Sequence, residues 1–230
     1  VAPGTYPLTL TATSGSLSST NSVTLVVNSL VTTPGLANWT GSSAVSANWS
    51  ANANWGGVAL AAGNSMAFNG GLQLNNTNDT AAGTSYSNIV FSPGAGAFVL
   101  NGYPITLIGG ITNNSANPQT VALGINFGNS ITLNGASNTL IIAGGLTNTL
   151  GAPGSTTVTL AGTGEIVNLF KSTTSPGGTN VMLLSDSAAD WTLLDNDASA
   201  PMTVPWTFAV NKGSFTFGDD NNAPQLTTTT

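Results

Sequence analysis

The sequence predicts an all-β protein: a β-solenoid preceded by a separate β-hairpin, with an antiparallel β-sandwich as the rival architecture. Three observations carry this expectation. Apolar residues alternate with Thr, Ser or Asn in run after run, which is the period of a half-buried strand. Gly, Pro, Asn, Thr and Ser recur so often that no helical stripe of about 12 residues survives. Helix should therefore stay below roughly a tenth of the residues, against a norm near a third. Asn-Gly and Gly-Gly pairs also recur between apolar runs in an imperfect repeat, as expected of stacked strands joined by loops of variable length.

Residues 1–28 stand apart. Gly4 to Ala12 reads as one strand, with Leu8 and Leu10 alternating with Thr9 and Thr11. Ser14-Gly15-Ser16 is a turn, and Ser18 to Val27 is a second strand carrying Val23, Leu25 and Val27 on alternate positions. Two strands cannot bury a core alone, so Leu8, Leu10, Val23, Leu25 and Val27 are candidate assembly positions. Residues 29–37 read as a linker turned by Pro34-Gly35, and residues 38–230 as a β-rich repeat domain.

That domain opens on Trp39, Trp49 and Trp55, spaced ten and then six residues apart. On an extended chain this spacing places all three on one face. They suit either a cap over the first rung, which a solenoid needs to hide its open end, or an aromatic platform for sugar rings. Further on, Leu100-Asn101-Gly102 and Ile105 to Asn113, with Gly109-Gly110 inside it, are echoed by Leu133-Asn134-Gly135 and Leu140 to Asn148, with Gly144-Gly145. The offset is 33 at Asn-Gly and 35 at Gly-Gly. Alternation continues at Ile131 and Leu133, Val158 and Leu160, and Phe215 and Phe217. Asn69-Gly70, Asn101-Gly102, Asn134-Gly135 and Gly162-Thr163-Gly164 can form corners, because Gly and Asn tolerate left-handed backbone. Asn-Gly is equally a hairpin turn signal, which keeps the sandwich open.

These phrases carry two resemblances. Residues 1–28 resemble the last two strands of a bacterial immunoglobulin-like domain. Residues 38–170 resemble autotransporter-associated β-strand repeat proteins. The matching residues are Trp39, Asn48-Trp49, Asn54-Trp55, Asn76-Thr77-Asn78-Asp79, Ile89-Val90-Phe91 and the two Gly-Gly repeats. The second resemblance implies a right-handed parallel β-helix on a secreted or cell-surface bacterial protein, and it brings no catalytic motif. Both termini read as cuts from a longer polypeptide.

Composition narrows the function. Only 4% of residues are charged, against roughly 25% in ordinary domains. Lys171 and Lys212 are the only cations. Nucleic acid, which needs several cations, and anionic membranes are excluded as partners, and no apolar run is long enough to span a bilayer. With no His, no Cys and no Arg, the usual acid–base and nucleophilic constellations cannot be built. Asp190 with Asp195, or Asp195 with Asp197, is the best carboxylate pair for an enzyme acting on polysaccharide, and Asp195-Asn196-Asp197 reads more simply as a turn.

No cofactor is expected. Calcium, which is satisfied by oxygen alone, has two weak candidate sites, Asp195-Asn196-Asp197 and Asp219-Asp220-Asn221-Asn222, and neither has the spacing of a calcium loop. Five Asn-X-Ser/Thr triplets start at Asn38, Asn48, Asn75, Asn78 and Asn113; they matter only where a host glycosylates such sites. The expected role is that of a structural subunit of an extracellular fibre, filament or matrix, with copies of itself as partner and the N-terminal strands as donors. The alternative is a carbohydrate-binding adhesin module with surface glycans as partner.

Overall fold

The computed structural model describes residues 4–27, 35–150, 155–167, 179–184, 189–195, 206–219 and 222–229. The chain divides into two compact units, Val1–Thr33 and Pro34–Thr230. The first is the hairpin of β1 (Gly4–Ser14) and β2 (Leu17–Val27). The second begins with β3 (Leu36–Trp39), β4 (Ser65–Phe68), β5 (Asn75–Asn78), β6 (Thr84–Phe91), β7 (Val99–Gly102) and β8 (Ile105–Asn113). It continues with β9 (Gln119–Val121), β10 (Ile125–Phe127), β11 (Ile131–Ile142), β12 (Leu146–Asn148) and β13 (Ser155–Val167). It closes with β14 (Thr179–Leu184), β15 (Asp190–Asp195), β16 (Trp206–Val210), β17 (Ser214–Asp219) and β18 (Asn222–Thr229). Among the described residues the one helical element is a single 3-10 turn, Asn52–Trp55. Strand β3 already runs from Leu36, so the repeat domain starts inside the stretch read from sequence as a linker.

The pairing is that of a β-solenoid. Among the described residues every strand pair in the second unit is parallel except the last, β17 with β18. The antiparallel sandwich is thereby set aside. Parallel stacking lets one apolar position repeat directly above the last. One ladder runs Met66, Ile89, Ile111, Leu133, Leu160. A second runs Asn76, Leu100, Val121, Ile142, Ile166, Leu193. All eleven side chains are fully buried, and the ten apolar ones contribute roughly 1.5–3 kcal/mol each where the side chain is large.

The rung differs from the repeat visible in the sequence. Ile89 stacks on Ile111 and Ile111 on Leu133, 22 residues apart each time. Leu100 and Leu133, which the 33-residue offset equates, stand in different ladders. The sequence repeat therefore spans about one and a half turns and relates one side of the coil to the other.

Glycine marks where the rungs approach most closely. At the bend where β6 and β8 slip register, a Cβ on Gly109 would collide with the Asn88 side chain and the Ser87 carbonyl. A Cβ on Gly110 would strike the Thr132 carbonyl. Asn88 fills the space instead, accepting the Gly110 N–H at 3.0 Å and donating to the Ser65 hydroxyl at 3.3 Å. The Asn-Gly pairs divide: Asn69-Gly70 is a loop between β4 and β5, Asn101-Gly102 ends β7, and Asn134-Gly135 lies inside β11 at its irregularity.

Candidate functional site

The hairpin follows from its turn. Gly15 takes φ +59°, which glycine adopts without a Cβ penalty, and with Ser16 it makes a two-residue loop of the kind that suits right-twisted antiparallel strands. The register then pairs Ser14 with Leu17, Leu10 with Asn21, Leu8 with Val23, Tyr6 with Leu25 and Gly4 with Val27. The apolar positions of the two strands consequently share one face, while Thr9, Thr11, Ser22 and Thr20 share the other. The apolar face is bare: Leu8 is 45% exposed, Leu10 61%, Leu17 76% and Val23 44%. The sequence marks Leu8, Leu10 and Val23 as positions that need a cover two strands alone cannot supply. Leu25 and Val27 keep their register positions, and their side chains lie outside the described residues.

The three early tryptophans are buried. Their indole rings offer no open face to a sugar, and burial of this kind is what a cap over the first rung requires. The Trp39–Trp55 and Trp49–Trp55 pairs meet edge to face, with centroids 5.0 and 6.2 Å apart. Each indole N–H donates to a partner: Trp39 to Leu72 O at 3.3 Å, Trp49 to Asn76 Oδ1 at 2.7 Å, and Trp55 to Trp49 O at 2.8 Å. Asn76 heads the second apolar ladder, so Trp49 ties the cap to the first residue of the stack. The main chain repeats the tie, with Trp49 N–H donating to Thr77 O at 2.9 Å.

Two polar residues from the phrases Asn54-Trp55 and Asn76-Thr77-Asn78-Asp79 hold the loop that carries the tryptophans. Buried Asn54 accepts the Ser43 N–H at 2.9 Å and donates to Ser46 O and Asn48 O at 2.9 and 3.0 Å. Asp79 accepts the Ser50 N–H and the Ser50 hydroxyl. Partial burial pushes the Asp79 carboxyl up, but hydrogen bonds from Ser50, from its own N–H and from Asn48 outweigh that and leave it below the ordinary carboxylate value. Burial raises the neighbouring Tyr86 phenol; its contact with Thr80 opposes this, and the Asp79 charge adds to it.

Further buried amides close the corners. Asn113 donates to Asn117 O, Asn138 O and Thr139 O and accepts from Ser115 N–H and hydroxyl. Asn78 donates to Tyr103 O and accepts from Thr80 N–H and hydroxyl. Both are sequon asparagines, buried with their amides in use, whereas Asn38 and Asn75 are exposed. The signal was available: a strand-ending Asn followed two residues later by Ser or Thr, whose N–H and hydroxyl the Asn oxygen accepts.

Of the acidic candidates, Asp190 and Asp195 do not converge. Asp190 and Asp195 sit at the two ends of β15, roughly 16 Å apart along an extended strand, too far to share a reacting bond. Asp190 accepts the Ser214 hydroxyl at 2.6 Å. Asn196 and Asp197, and likewise Asp220 and Asn221, lie outside the described residues. Among the described residues no three His, Cys, Asp or Glu side chains are grouped to hold a metal. No family model matches the chain, and no curated protein or solved structure matches it either.

Proposed function

We propose that this chain is a structural subunit of an extracellular or cell-surface fibre, filament or matrix, and that copies join through β-strand contacts of the N-terminal hairpin. The observation that carries the reading is the bare apolar face of Leu8, Leu10, Leu17 and Val23. A two-stranded sheet is marginal in water, and an exposed apolar patch on a soluble chain marks an interaction site. The solenoid suits a passive spacer. Its stacked ladders need no ligand, and Asp79 is the only charged residue before Glu165. The lack of His, Cys and Arg supports a mechanical role over a catalytic one, and the resemblance to autotransporter-associated repeat proteins supports a surface location.

Deleting residues 1–28 tests the reading. Sedimentation and negative-stain microscopy should show concentration-dependent assembly of the full chain and its loss in the truncated one, with the β-type dichroism retained. Equal assembly of the two, or a full chain that stays monomeric at every concentration, refutes it.

A further inference from the structure

We infer that two copies of this chain pair through the free edge of β2, antiparallel across a two-fold axis, and that Asn21 latches that edge until the partner strand arrives. The inference rests on the reading that copies associate through the hairpin, and it names the contact.

The two edges of the hairpin are not equivalent. A two-residue loop makes Ser14 and Leu17 the first hydrogen-bonded pair. Such pairs alternate along an antiparallel ladder. Ala12–Ser19, Leu10–Asn21 and Leu8–Val23 therefore bond inward, while Thr11–Thr20, Thr9–Ser22 and Pro7–Thr24 turn their backbone groups outward. Two independent observations agree with this count. Pro7, which has no N–H to give, falls on an outward position, the only kind a strand proline tolerates. The Ser22 N–H is bonded to the Asn21 side-chain oxygen at 2.9 Å, not to β1.

The consequence is an asymmetry between edges. The free edge of β1 permanently lacks a donor at Pro7. The free edge of β2 keeps the N–H groups of Ser18, Thr20, Ser22 and Thr24, one of them covered by a short local bond that a competing carbonyl can replace. Neither strand pairs with anything but the other within the described residues.

A second β2 is the occupant that fits. Residues 4–27 contain no charged side chain, so identical strands approach without repulsion and without the edge lysines that block such pairing. A two-fold contact uses the same surface on both partners, and β2 is the edge with its donors complete. The product is a closed pair sharing a four-stranded sheet, the unit from which a fibre would grow through a further contact. The sheet exceeds the size at which a sheet with an apolar face holds together, which a two-stranded one does not reach. The two-fold stands perpendicular to that sheet, so the Leu8, Leu10, Leu17 and Val23 faces of both copies merge on one side.

Sedimentation equilibrium of the full chain over a concentration series tests this with two variants of opposite sign. Ser22→Pro removes an outward N–H and no hairpin bond, and should leave the protein monomeric where the parent is dimeric. Asn21→Ala frees the Ser22 N–H and should tighten the dimer roughly five-fold or more, the equivalent of one neutral hydrogen bond. If the parent associates but neither variant changes its association, the β2 edge assignment is overturned while the fibre reading stands. If the parent is monomeric throughout, both fall.

Discussion

The Asp79 carboxylate accepts two hydrogen bonds from one residue, Ser50, at 2.8 Å from the backbone N–H and 2.5 Å from the hydroxyl. Twenty-nine residues separate them in sequence, and the bond fastens the cap loop to the corner after β5. Because the folded state holds this carboxyl below its ordinary value of 3.8, it stabilises the fold at pH values above that. The contribution is lost as pH falls through the lowered folded-state value. Tryptophan fluorescence of the cap should therefore report loosening only in strong acid. Asp79→Asn should remove that dependence and cost at most about 1 kcal/mol at neutral pH, since the group is largely solvated.

Trp49 and Asn76 give a sharper test of the cap. Trp49→Phe keeps a buried ring but leaves the Asn76 oxygen without its 2.7 Å donor. We expect a loss of about 1–3 kcal/mol, the cost of a buried polar atom left unpaired. Trp49→Ala should cost about 3–5 kcal/mol, because a cavity is added. Chemical denaturation of the two variants, followed by near-ultraviolet dichroism, distinguishes these magnitudes.

Asn113 is fully buried and binds three carbonyls and one N–H. Asn113→Ala strands several of these groups and should lower stability by more than about 2 kcal/mol. Asn75→Ala, at an exposed sequon, should stay within about 0.5 kcal/mol. Comparing the two melting curves checks that buried and exposed asparagines differ as described.

Gly109→Ala should destabilise by about 1–3 kcal/mol, since the new methyl meets the Asn88 side chain and the Ser87 carbonyl. Adding Asn88→Ala should recover part of that loss, because residues in contact are not additive. A double-mutant cycle by urea denaturation that shows strict additivity would contradict the packing described here.

The architecture was legible where period two was strong. Ile111 and Leu133 alternate with Thr and Asn, and parallel stacking does the rest. The rung length was not legible. The two sides of the coil carry similar phrases, so Leu133-Asn134-Gly135 matched Leu100-Asn101-Gly102 one and a half turns away. The tryptophans were visible as a spaced set, but whether their rings faced in or out depended on Phe68, Leu72 and Asn76, which come from later segments. The uncovered face of the hairpin was legible, because Leu8 and Val23 alternate as core residues do in a two-stranded unit too small to bury them.

The rung of 22 residues between Ile89, Ile111 and Leu133 makes the length of such a stack a counted quantity. Excising or duplicating one whole coil between equivalent ladder positions returns every Ile and Leu to a matching seat, and adds or removes about 4.8 Å of height. An odd insertion within a strand would turn its apolar side chains to the outside. With almost no charge along these coils, an added one brings no new ion pair to satisfy. A lineage of such chains can therefore change its reach in fixed steps while leaving both ends untouched.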